Sequence, residues 1–228
     1  KPGSSERERL DALRRQFEAV AESTAPASEH SLPDDYALTE TPGYVLRRST
    51  RRIDDWIGHV KVGAMCEASA IELALLGLEP GIASLAPEDF LFVDLETTGL
   101  GAGASNLAFV IGLGYWDQRT FVVDQHLLLD PAVESTMLKA VAERFEQSGA
   151  IVSYNGKSFD LPLLRSRFVL NRRRLPEPSA HLDLLHLARR VHRARPWRKS
   201  LKEIEARVIG FDRGPDIDSA TVGARYAH

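Results

Sequence analysis

The sequence predicts an α/β fold in which a mixed sheet, an antiparallel meander followed by parallel strands, is flanked by helices. Two observations carry this. Three apolar segments follow one another, "FLFVDLE" from residue 90, "NLAFVIGLGYW" from 106 and "TFVVDQHLLLD" from 120, the last two joined by the turn "DQR". After them strand and helix alternate, as they do when parallel strands are joined by helical crossovers.

The elements follow in order. Residues 6–22, "ERERLDALRRQFEAVAE", read as an amphipathic helix with Leu10, Leu13 and Phe17 on one face. Residues 23–43 are rich in Ser, Thr, Pro and Asp and read as a connector. "GYVLRRSTR" is a strand candidate, and "SAIELALLGLE" a short helix that stops near Pro80-Gly81. We therefore assign residues 1–87 to an N-terminal helical and irregular extension and residues 88–228 to the main domain. Within that domain Pro131 opens a helix that runs to Gln147 and ends at Ser148-Gly149. "AIVSYN" has the unbroken apolar start of a buried parallel strand. A helix over 161–170 follows, and "HLDLLHLARRVHR" and "SLKEIEARVIG" read as the last two helices.

Composition narrows the class. The chain has 228 residues, enough for one core with a small appendage. A single cysteine, Cys66, excludes an intramolecular disulfide and makes a reducing, cytoplasmic setting the default expectation. The longest apolar run, at 107–116, is too short to span a bilayer as a helix. The net charge of −3 hides an asymmetry, because residues 165–207 hold 13 Arg or Lys against 4 acids. Such a block suits a polyanionic partner, although helix surfaces also carry arginines for solubility alone.

The first strand ends in acids. Asp94 and Glu96 stand two residues apart and so project from one face of a strand. Like charges side by side repel, and a hard divalent cation is one way to compensate them. The plainer alternative is that they cap the turn into Thr97, Thr98 and Gly99. A second stretch, "VSYNGKSFDLPLL" from residue 152, repeats the arrangement: a buried strand, a polar loop, then an acid opening a helix. Asp160 there reads either as a helix cap or as a ligand. Before it stand Asn155, Lys157 and Ser158, which are phosphate-contacting types, and Phe159, whose ring offers a stacking face.

Together "DLETTGL" and "YNGKSFDLPLL" resemble the first two motifs of the DEDD (DnaQ-like) exonuclease superfamily, which has the ribonuclease H-like fold. Within it the chain is similar to the YprB-like branch, in which "HLDLLHLARR", "SLKEIE" and "IGFDRGPDID" recur in order; the resemblance covers about residues 88–226. It implies that Asp94, Glu96 and Asp160 are the catalytic metal ligands for two Mg²⁺ or Mn²⁺ ions. Asp183 is a further candidate, either as a ligand or as the acid that fixes a ligand in place. His181 and His186 are expected to be ordinary helix-surface histidines. Thr97, Thr98, Gly99, Leu100, Asn155, Lys157, Ser158 and Phe159 would then contact substrate. The implied activity is metal-dependent 3′→5′ exonucleolytic hydrolysis of single-stranded nucleic acid, with DNA as the first expectation and repair or processing as the setting. A helicase is the implied companion. The arginines of 165–207 would track the phosphates, with Trp197 as a stacking surface.

The family's fourth carboxylate and its His or Tyr general base are not matched. Asp212, Asp216 and Asp218 are the late acids, and none has such a residue four or five positions before it. Tyr226 corresponds to a tyrosine that precedes the last motif, so that motif is expected beyond His228. The alternative reading is a nucleic-acid-binding module of the same fold with impaired catalysis. Two other readings fail: a dehalogenase-like phosphatase needs a second aspartate where Glu96 stands, and "GLGAGASN" runs into apolar residues rather than a helix.

Overall fold

The structure, a computed structural model, describes residues 37–41, 43–99 and 106–214. The segment 6–22, Leu100, Asp216, Asp218 and Tyr226 lie outside the described residues.

A seven-stranded sheet organises the chain. In chain order its strands are β1 (Ala37–Thr41), β2 (Tyr44–Arg52), β5 (Phe90–Thr97), β6 (Ala108–Asp117), β7 (Thr120–Leu128), β8 (Ala150–Ser153) and β9 (Ala180–Asp183). Two short strands, β3 (Trp56–Ile57) and β4 (Val60–Lys61), form a separate hairpin. The spatial order of the large sheet is β1-β2-β7-β6-β5-β8-β9. Pairing is antiparallel from β1 through β5 and parallel from β5 to β8 and from β8 to β9. The meander closes on Gln118, whose φ of 53° gives the tight β6–β7 turn its left-handed residue. β1 and β2 come from the stretch assigned to an extension, and through the β2–β7 ladder they continue the sheet.

Helices cover both faces. They are α1 (Ala64–Glu67), α2 (Ala70–Gly77), α3 (Glu134–Glu146), α4 (Asp160–Leu170), α5 (Leu184–Val191) and α6 (Leu201–Ile204). Alternation along the strands decides which residues meet them. Leu91, Val93 and Leu95 of β5 pack on one side with Met137, Leu138, Val141 and Phe145 of α3 and Leu161, Leu164 and Phe168 of α4. Phe90 of β5, Ala150 and Val152 of β8, and Ala180 and Leu182 of β9 pack on the other with Ala74 of α2 and Ile82. Each large aliphatic buried this way contributes roughly 1.5–3 kcal/mol. Among the described residues no helix is long and apolar enough to cross a membrane.

Two expectations are corrected. The helix read over 181–193 begins three residues later, because residues 180–183 form β9. Ala180 and Leu182 are buried beside β8, so sheet pairing outweighs the local helical pattern. The segment read as a helix over 200–210 is a single α-helical turn, α6, continued by a π-type turn over Glu205–Ile209 that ends at left-handed Gly210.

Candidate active site

Because β5, β8 and β9 run parallel, their carboxyl ends lie along one edge of the sheet, where open α/β sheets bind ligands. β5 delivers Asp94 and Glu96 there. Both alternate with buried Val93 and Leu95, so packing of the apolar face aims the acids to the opposite one. The β5–β6 register shifts between Glu96 and Thr97, and such bulges re-aim a strand end. Asp94 keeps access to water although protein surrounds it on most sides, as at a concave edge. That surround pushes its carboxyl above the usual range, against which the Arg213 guanidinium acts. Arg213 is itself gripped by Glu205 through two bonds of 2.5 and 2.7 Å.

Asp160 is the first residue of α4, and its carboxylate accepts its own backbone N–H at that helix N-terminus. Burial, and after it the negative charge of Asp94, pushes its carboxyl up to about 7, with Asp183 adding a smaller push. The backbone before Asp160 leaves little room: a Cβ on Gly156 would stand 2.5 Å from Ser153 Oγ and 3.1 Å from Asp160 Oδ2. Glycine is the residue that fits there.

Asp183 has a different task. It is 3% exposed and sits where β9 meets α5. One carboxylate oxygen accepts the N–H groups of Asn155 (2.8 Å) and Leu185 (3.0 Å), and the other accepts that of Lys157 (3.1 Å). It therefore caps α5 and fixes the loop leading to Asp160. Asn155 in that loop holds a left-handed φ of 69°. Next to this loop His181 lies on β9, not on a helix surface, and bonds Ser153 Oγ at 2.8 Å. Burial, then the Lys157 cation, lowers its pKa to about 4, so it is neutral at physiological pH. His186 is on α5, as expected.

The expected substrate-contacting residues divide into two groups. Thr97 Oγ1 donates to the Gly99 carbonyl at 2.9 Å, and Thr98 Oγ1 accepts from Leu107 N–H at 3.0 Å, so both hydroxyls shape the turn. Lys157 Nζ lies 3.6 Å from Glu79. Ser158 and Phe159 are exposed, Phe159 at 54%, which leaves its ring the open aromatic face at this edge. Trp197 is less open than expected: the His192 ring lies against it, tilted by 42° with ring centres 5.1 Å apart, and the Lys199 ammonium lies 4.7 Å from its ring centre.

Among the described residues no three His, Cys, Asp or Glu side chains are gathered as a ready metal cluster. The donor chemistry nevertheless fits a hard divalent cation, because two carboxylates that repel each other are what such an ion relieves.

The RNase H superfamily description fits residues 91–228, more than half of the chain. The chain belongs to the ribonuclease H superfamily, a superfamily of nucleases. It is 36% identical over 142 residues to the uncharacterized protein YprB of Bacillus subtilis (strain 168), a match covering 61% of this chain and 34% of that relative. It thus spans about a third of the relative's length. E. coli exonuclease I, solved in complex with a dA16 oligonucleotide, superposes with a TM-score of 0.41 at 16% identity, over 60% of this chain and 39% of that one. Superfamily membership agrees with the mixed sheet seen here and with the resemblance its two motifs carry.

Several residues at this edge carry no signal in the linear sequence. Glu134, Arg167 and Asn106 form a bonded set behind the Thr97–Gly99 turn, and Arg213 faces Asp94. Partners 33 or 61 residues apart are joined only by the fold.

Proposed function

We propose that the chain is a metal-dependent 3′→5′ exonuclease acting on single-stranded nucleic acid, with DNA as the preferred substrate. Asp94, Glu96 and Asp160 are its metal-holding acids, and Asp183 is the residue that positions the loop leading to Asp160. The observation that carries this reading is the Asp94–Asp160 pair, in which a partly buried carboxyl is raised to about 7 beside a like charge. Mg²⁺ or Mn²⁺ suits these oxygens, and when bound such ions supply Lewis-acid activation of water and neutralise charge on the leaving oxygen.

The chain's own residues do the rest. The exposed ring of Phe159 offers a stacking face to a terminal base, and Lys157 and Ser158 stand beside it to meet phosphate oxygens. The turn at Thr97–Gly99 offers its backbone to the terminal sugar. Arg193, Arg195 and Arg198 are exposed on the segment after α5 and extend the positive field toward the same strand ends. That segment is tied to the loop after β8 by Tyr154, whose hydroxyl donates to the Lys199 carbonyl at 2.5 Å.

The test is digestion of 5′-labelled single-stranded DNA and RNA with Mg²⁺ or Mn²⁺. A ladder of shortening products from the wild-type chain and none from Asp94→Ala is the expected result. Binding of the oligonucleotide without cleavage, equal in both proteins, would replace this reading with that of a binding module.

A further inference from the structure

Behind the Thr97–Gly99 turn lies a bonded chain that joins it to the helix bearing Asp160. Arg167 forms a two-pronged pair with Glu134, both bonds 2.6 Å, and Glu134 is 4% exposed. Asn171 adds a donor to Glu134 at 2.7 Å. Arg167 also reaches the Asn106 carbonyl at 3.4 Å, and Asn106 Nδ2 donates to the Gly99 carbonyl at 3.3 Å. The same Gly99 carbonyl accepts from Thr97 Oγ1. Beside them Thr98 N–H bonds the Leu107 carbonyl at 3.0 Å. The two limbs of the turn, 97–99 and 106–107, are thus pinned to each other and to Arg167.

A buried ion pair is weak grounds for stability, since the desolvation of both charges offsets much of their attraction. Its geometry points instead to placement. Arg167 and Asp160 lie seven residues apart on α4, which puts them on one face about two turns and ~10 Å apart. One end of that helix presents Asp160 to Asp94, and the other holds the turn that follows Glu96. The packing at Gly99 is close, because a Cβ there would stand 2.6 Å from Asn106 Oδ1.

We propose that Arg167, held by Glu134 and acting through Asn106, is a positioning residue that sets the Thr97–Gly99 turn against the Asp160 helix to receive the terminal nucleotide. This rests on the exonuclease reading for the identity of the ligand, but not for the placement itself.

The experiment combines amide hydrogen exchange with steady-state kinetics on the full chain, using Asn106→Ala, Arg167→Lys and Asp94→Asn. Asn106→Ala and Arg167→Lys are expected to lower protection of the Thr98 and Leu107 amides about tenfold, with Ile111 in the adjoining core strand unchanged. On single-stranded oligonucleotide the same two variants raise KM about fivefold, the loss of roughly one hydrogen bond, with kcat within about twofold. Unchanged protection at Thr98 and Leu107 overturns the positioning role, whatever the activity. So does an equal loss of kcat with KM untouched. Asp94→Asn keeps both amides protected and removes cleavage; absence of cleavage by the wild type as well overturns the exonuclease reading and leaves placement to be judged by exchange alone.

Discussion

Asp183 accepts the Asn155 backbone N–H at 2.8 Å from 28 residues away in sequence, and so one strand end holds the loop of its neighbour. The same carboxylate takes the Lys157 and Leu185 backbone N–H groups. By this geometry Asp183 supports the loop that leads to Asp160.

Asp183→Ala should therefore destabilise the fold by about 3 kcal/mol, because it strands buried amide donors that a charged acceptor now satisfies. Asp183→Asn keeps one acceptor oxygen and should lose roughly half as much. Urea denaturation followed by circular dichroism measures both. A loss under about 0.5 kcal/mol in the alanine variant would show that the loop does not depend on this carboxylate.

The raised Asp160 carboxyl makes stability depend on pH. Its pKa is about 7 in the folded chain against 3.8 for the free side chain. The folded state therefore binds the proton more tightly, and stability is lost as pH rises from about 4 through 7. In EDTA, Asp160→Asn should exceed the wild type by about 1–2 kcal/mol at pH 8, after allowance for solvent screening, and match it at pH 4. Thermal unfolding across this range reads the difference. Added Mn²⁺ should raise the wild-type Tm and narrow the gap. Equal stability of the two proteins at pH 8 would refute the coupling.

The arginines after α5 make a prediction about salt. Arg193, Arg195 and Arg198 are exposed, whereas Arg165 and Arg167 of the same basic block are paired with Glu177 and Glu134. Changing the three exposed residues to Gln should reduce the slope of log affinity against log salt for single-stranded DNA by about 2. Changing Arg165 should leave the slope nearly unaltered. Fluorescence anisotropy between 50 and 200 mM salt, roughly the range over which such contacts fade, distinguishes these outcomes. An unchanged slope in the triple variant would reduce the block to surface charge.

Much of the fold is legible in the residue order because its elements are long and patterned. β6 and β7 announce themselves by apolar content, and α3 by the spacing of Met137, Leu138, Val141 and Phe145. β9 is not legible. Ala180–Asp183 is four residues long and borders a true helix, so no local signal separates the two. Its partner β8 makes it a strand, by burying Ala180 and Leu182 in the core beside Ala150 and Val152.

The sequence by itself determined which acids this protein places at its sheet edge. Apolar alternation aims Asp94 and Glu96 together, and the polar loop before α4 brings Asp160 to its first turn. Tertiary structure alone decided what each acid does. Asp160 meets the charge of Asp94, Asp183 meets three backbone amides, and Glu134 meets Arg167. A carboxylate's role depends on what desolvates it and what lies within hydrogen-bond reach, and those neighbours arrive from strands and helices far away in the chain.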